Sequence, residues 1–186
     1  MPGTFPGEMA ATSEEYRRWF HLMKDVGFNA IRTYTLHFPR FYDELLKFNE
    51  ENPTNPLYLL QGVWLDEDLP HGNFFSFSSA FDADIQEVID CMHGNKSIPE
   101  RPGRAYGNYT TNISHWILGY IIGREIHPPE VFLTNESNST FNNYNGTVFG
   151  IANGDPIECW FTQRLDKMVL YERQKYKVER PVSISS

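Results

Sequence analysis

Glu125 is the residue of this sequence best placed for proton chemistry. It closes the run Leu118-Gly119-Tyr120-Ile121-Ile122-Gly123-Arg124-Glu125, in which an apolar stretch ends on a cation and then a carboxylate. A carboxyl at the mouth of a buried strand can pass a proton to a substrate oxygen and take it back. The same pattern also fits a solvated or Arg-paired carboxylate. Asp66, Glu67 and Asp68 follow Trp64 after a second apolar run, where a carboxylate either bonds the hydroxyls of a ligand or sits in a solvated loop. Arg32 and Tyr34 alternate onto one face of a third run, where burial of Arg32 would require a structural pair. Tyr34, Trp64, Trp116, Phe74, Phe75 and Phe77 offer flat faces of the kind that stack on pyranose rings. Most such rings serve a core, and Phe74 to Phe77, set in a loop after a strand, are the best candidates for a platform.

Other chemistries find no support. His37, His71, His93, His115 and His127 show no close ligand spacing, so neither a metal nor a cofactor is expected. No Gly-x-Ser-x-Gly elbow, Gly-x-Gly-x-x-Gly turn or Gly-Lys-Ser/Thr phosphate loop is present.

The elements that would position these residues alternate. Thr12 with Glu15 reads as a capping box, followed by the stripe Tyr16, Trp19, Phe20, Met23 and Val26 and a terminal Gly27. Ala30 to Leu36 is β-branched and aromatic, as strands are. A second helix starts at Pro39 and ends before Pro53, and Leu57 to Trp64 has the continuous apolarity of a strand covered on both faces. A helix from about Ala80 to Met92, a strand from Trp116 to Gly123, a helix opened by Asp155, Pro156 and Glu158, and a strand from Pro181 to Ser185 complete the order. Four helix–strand repeats predict parallel βαβ units in one α/β domain spanning residues 1–186. The long connections from Leu65 to Ser79 and from Arg124 to Gly154 follow strands directly, which in a barrel places them on the face where sites lie.

Composition narrows the partners. With 40% hydrophobic residues, 186 residues can bury a core, and a net charge of −8 argues against a nucleic-acid partner. No apolar run reaches the roughly 20 residues of a membrane helix, and Met1 to Gly7 has no secretory leader pattern. Six Asn-x-Ser/Thr sequons begin at Asn95, Asn108, Asn112, Asn135, Asn138 and Asn145. With 14 Asn and 22 Ser plus Thr in 186 residues, chance gives roughly two, so the excess points to an extracellular or cell-surface parent glycoprotein, or to an Asn-rich loop. Cys91 and Cys159 both fall in predicted helices, where free buried thiols are the default and a disulfide needs those helices to be neighbours.

Gly27-Phe28-Asn29-Ala30-Ile31-Arg32-Thr33-Tyr34-Thr35, Phe38-Pro39-Arg40-Phe41-Tyr42-Asp43 and Gln61-Gly62-Val63-Trp64 resemble clan-A glycoside hydrolase barrels. Leu118 to Glu125 looks like the fourth barrel strand of that clan, and Glu179-Arg180-Pro181-Val182-Ser183 like the approach to the fifth. Within the clan the likeness is to proteins related to the family-two hydrolases and to fungal cell-wall glucanosyltransferases. The resemblance implies a partial (β/α)8 TIM barrel of about four βα units, with parallel strands and outer helices. It implies a retaining glycoside hydrolase or transglycosylase acting on an oligosaccharide or polysaccharide, with Glu125 as general acid/base. Arg32 would support the nucleophile, itself a Glu ending a seventh strand that this chain does not reach. Tyr34, Trp64, Asp66, Arg124, Phe74 and Phe75 would line the substrate. The clan places Asn before the acid/base Glu to bond the sugar 2-hydroxyl, and Arg124 holds that place here. A non-catalytic carbohydrate-binding or scaffold barrel is the alternative, as is an inactive truncated gene product, and open sheet edges would favour self-association.

Overall fold

The structure is a computed structural model that describes residues 11–67 and 72–185. Asp68 and His71 lie outside the described residues. Helix α1 (Ser13–Asp25) starts at the Thr12–Glu15 capping box and ends before Gly27, whose φ of 90° suits only a residue without a Cβ. Strand β1 (Ala30–Thr33) pairs in parallel with β2 (Tyr58–Val63), from Ala30 opposite Tyr58 to Thr33 opposite Gln61. Between them runs α2 (Pro39–Glu51), with Pro39 in its first turn. Asn49 on α2 fixes the entry to β2, its Nδ2 donating to the Leu57 carbonyl at 2.9 Å and its Oδ1 accepting the Leu57 N–H at 2.8 Å.

Helix α3 (Ser78–Met92) is followed by an antiparallel hairpin of β3 (Lys96–Ile98) and β4 (Gly107–Tyr109). Then come β5 (Ile117–Gly123), α4 (Pro128–Ser137), the hairpin β6 (Asn143–Asn145) with β7 (Gly150–Ala152), α5 (Pro156–Tyr176) and β8 (Val182–Ser185). β5 and β8 are parallel, with Tyr120 opposite Val182. The main sheet has the order β1-β2-β5-β8, so the chain forms a mixed α/β fold around four parallel strands, and this sheet does not close into a barrel among the described residues.

Three local expectations change. The first strand stops at Thr33, which leaves Tyr34 beyond it. Residues Ser114–Trp116 form a 3-10 turn, so the strand starts at Ile117. The connection after β5 contains α4 and a hairpin instead of a bare loop.

The chain divides into two compact units. Unit 1 runs to Gly62 and includes Glu87–Gly119; unit 2 is Val63–Gln86 with the chain from Tyr120 onward. The core of unit 1 is aromatic. Tyr16 meets Phe41 edge-on at 5.1 Å between centroids, and Phe20 and Phe48 lie 5.9 Å apart. Gly62 closes this sheet region tightly, because a Cβ there would overlap the carbonyl oxygens of Thr33 and Tyr34. The core of unit 2 centres on Trp160, fully buried, stacked on Phe81 at 5.7 Å and donating its ring N–H to Ser78 at 2.9 Å. Cys91 and Cys159 are both free, buried thiols, one in each unit.

Candidate functional site

In unit 2 the candidate residues at the strand ends are held by one cation. Gly123, the last residue of β5, has a φ of 97°, and a Cβ there would stand 3.4 Å from both the Phe161 ring and the Ser185 carbonyl. The backbone turns there, and Arg124 points inward with only 2% of its surface exposed. Its Nη2 and Nη1 donate to the two carboxylate oxygens of Glu130 at 2.7 and 3.0 Å, a bidentate fork. The same guanidinium bonds the Glu125 carbonyl at 3.0 Å and reaches the Asp66 carbonyl at 3.5 Å. Arg124 thus ties the residue after it to the loop after β2.

Glu130 serves twice. Pro128 and Pro129 open α4, and the Glu130 carboxylate caps that helix by accepting the His127 N–H at 3.1 Å. The Arg124 hydrogen bond holds the Glu130 carboxyl below its ordinary range, against the opposing effect of burial and with help from the His127 N–H. Glu125 itself is exposed. Next to it in sequence, Ile126 lines a cavity of about 510 Å³ together with Val131, Ile157, Phe161, Ile184 and the polar Glu158. The walls are mostly apolar, which suits the nonpolar face of a ligand.

The remaining candidates fall out as follows. Arg32 is exposed and stacks its guanidinium over the Tyr34 ring at 4.4 Å, as their shared face predicts, and Tyr34 is 57% exposed. Both belong to unit 1, whereas Trp64, Asp66, Arg124 and Glu125 belong to unit 2. Trp64 is half-buried and the Asp66 side chain is exposed. Phe74 is not a platform. Its loop folds into a 3-10 turn over Phe74–Phe77 that drives the ring into the core, 5.2 Å from Trp160 and with no exposed surface. Phe75 is half-buried and edge-on to Phe141 at 5.0 Å. Trp116 packs at 6.0 Å from Tyr58 in unit 1. Arg124, taken as a substrate contact, is buried and donates through its Nη groups to Glu130 and backbone instead, while its Nε has no hydrogen-bond partner among the described residues.

Glu130, the partner of Arg124, is the residue that sequence reasoning missed. The signal was present: Pro-Pro-Glu after His127 is a first-turn pair followed by a capping acid. Among the described residues no group of three or more His, Cys, Asp or Glu could hold a metal ion, and no helix is long and apolar enough to cross a membrane. No family model, no curated protein and no solved structure matches the chain.

Proposed function

We propose that this chain forms part of a (β/α)8 barrel of the clan-A glycoside hydrolase kind, acting on an oligosaccharide or polysaccharide with Glu125 as general acid/base. The strand order supports the barrel reading. Each successive parallel strand of the main sheet is added on the same side, β1, β2, β5, β8, with no reversal. A doubly wound sheet reverses its order and binds ligand at the reversal, whereas a barrel winds one way.

The observation that carries the proposal is the place of Glu125. It is an exposed carboxylate just past the carboxyl end of β5, on backbone pinned by Arg124. In a retaining mechanism this group would protonate the leaving glycosidic oxygen and then deprotonate the incoming water or sugar hydroxyl. A second carboxylate about 5 to 5.5 Å away would attack the anomeric carbon, and the resemblance assigns it to a seventh strand. Replacing Glu125 by Gln in the protein with all the sequence its gene encodes should lower glycoside turnover by about 10²- to 10⁴-fold, the usual contribution of an acid/base group. Unchanged turnover would reject the role of Glu125.

A second reading has its own observation. Arg124 fills the place of the sugar-binding Asn and is consumed internally by Glu130, as in a barrel that binds carbohydrate or serves as a scaffold without cleaving it. In that case the protein binds oligosaccharide and Glu125→Gln leaves affinity intact.

A further inference from the structure

All six sequons fall between Asn95 and Thr147, and the fold sorts them. Alternate residues of a strand share a face, so a sequon running along a strand sets its Asn and its hydroxyl side by side. Two sequons flank and enter the β3–β4 hairpin, one beginning at Asn95 just before β3 and one at Asn108 within β4. Asn95, Ser97, Asn108 and Thr110 are exposed, while Ile98 and Tyr109 on the other face are buried. Ser97 stands opposite Asn108 in the register, and its hydroxyl donates to Asn108 Oδ1 at 2.6 Å. Asn112 follows, its Oδ1 accepting the Ser114 N–H at 3.0 Å, which turns Nδ2 away from that backbone. In unit 2, Asn145 is exposed in β6.

Two sequons are spent on the fold. Asn138 has its Nδ2, the atom a glycan would need, donating to Asn73 Oδ1 at 3.0 Å and to the Thr134 carbonyl at 2.8 Å. Asn135 lies half-buried within α4, where its Oδ1 accepts the Ile157 N–H at 3.0 Å. A glycan on Asn138 would displace the two bonds its Nδ2 donates. Asn135 is held within α4, where residues i and i+2 point to different faces, so the Ser137 hydroxyl does not stand beside its amide.

We propose that the outer face of the β3–β4 hairpin is an N-glycosylated surface, with Asn95, Asn108 and Asn112 as acceptors joined by Asn145, and that Asn135 and Asn138 stay unmodified. The donor class is an oligosaccharide linked through pyrophosphate to a lipid. Asn Nδ2 forms a bond to the anomeric carbon, the bond from that carbon to the phosphate oxygen breaks, the lipid pyrophosphate leaves with the electron pair, and one amide proton is lost to base. Bulky hydrated chains on this hairpin also obstruct strand pairing at its open edges.

The test is occupancy, read without any turnover measurement and therefore separable from the proposed enzymatic role. The full chain is secreted from a eukaryotic host behind a cleavable leader, its glycans are released by peptide-N-glycosidase in heavy-oxygen water, and labelled Asp is located by peptide mass spectrometry. Label is expected at Asn95, Asn108, Asn112 and Asn145 and not at Asn135 or Asn138. Asn108→Gln and Asn112→Gln should each remove one gel-mobility step, and Asn138→Gln none. An unlabelled hairpin, or Asn138 labelled as fully as Asn108, overturns the proposal. If the chain stays inside the cell, the labels are read on its microsomal fraction, where the same pattern supports the proposal and the same two results overturn it.

Discussion

Unit 1 ties several of its buried polar side chains with neutral hydrogen bonds, whereas unit 2 ties its buried arginines with ion pairs. In unit 1 the Tyr16 hydroxyl meets His37 Nδ1 at 3.2 Å, the Tyr109 hydroxyl donates to the His37 carbonyl at 2.7 Å, and the Tyr42 hydroxyl donates to Gln61 Oε1 at 2.9 Å. Gln61 passes its own N–H groups to the Thr35 and Gly62 carbonyls. In unit 2, Arg124 pairs with Glu130, Arg164 with Asp82, and Arg180 with Glu172, which also accepts from the Tyr120 hydroxyl. Unit 1 has ion pairs too, Arg17 with Glu51, Lys47 with Glu44 and Arg101 with Glu87, but in each the base keeps a quarter or more of its side chain exposed. A neutral bond contributes about 1 kcal/mol and survives most pH changes, whereas a buried ion pair is modest when intact and costly when halved. The two units should therefore fail differently.

The largest difference should come from halving the Arg124–Glu130 pair. Arg124→Ala leaves Glu130 facing a cavity, strips hydrogen bonds from the carbonyls of Glu125 and Asp66, and should cost about 3 kcal/mol or more in urea unfolding. A cost below about 1 kcal/mol would class the pair with exposed ones and erase the contrast.

Acid should separate the units next. Burial lowers His37 from its ordinary 6.5 to about 4, so its imidazole is neutral in the folded unit. The unfolded chain binds the proton first, so this contribution is complete above pH 6.5 and is lost as pH falls toward 4, by roughly 3 kcal/mol. In unit 2 the depressed groups are carboxyls. Burial opposes the charge of Asp166, but the N–H groups of Phe149 and Val148 and the Tyr144 hydroxyl outweigh it, and Glu130 is lowered by Arg124. Their contributions hold above the ordinary carboxylate values of 3.8 and 4.5 and fade only as pH drops through the lower folded ones. Amide hydrogen exchange should therefore show unit 1 loosening as pH falls from 6.5 and unit 2 only once it falls below about 4.5. His37→Phe should abolish the upper window, and simultaneous loosening of both units would remove the distinction.

How much of this was legible depends on how local the signal is. α1 carries a capping box, α2 a first-turn proline and α5 both, each within a few residues of an apolar stripe, and the long apolar runs gave β2 and β5 to within a residue at most ends. The hairpins β3–β4 and β6–β7 have strands of three residues, too short for a period to show. α4 was hidden because it has no apolar stripe: Phe132 and Leu133 are exposed and Thr134 is its buried residue. At the candidate site, the strand-end positions of Arg124 and Glu125 were readable, but the Glu130 clasp, six residues on and across a turn, was not. Phe74 was misread for the same reason, since burial of a loop ring is a tertiary fact.

The smallest effect sharpens the comparison from the helix ends. Both units use a capping box, Thr12 with Glu15 on α1 and His127 with Glu130 on α4. In unit 1 the box is only a cap. Thr12→Ala removes one acceptor for an N–H of the first turn and should cost about 1 kcal/mol, adding independently to the Arg124→Ala cost in a double-mutant cycle. In unit 2 the capping carboxylate also holds Arg124, so Glu130→Gln and Arg124→Ala share an interaction and their combined cost should fall well short of the sum. Additive costs at Glu130 and Arg124 would mean that the clasp and the cap act separately, and that α4 does not position the backbone of Glu125.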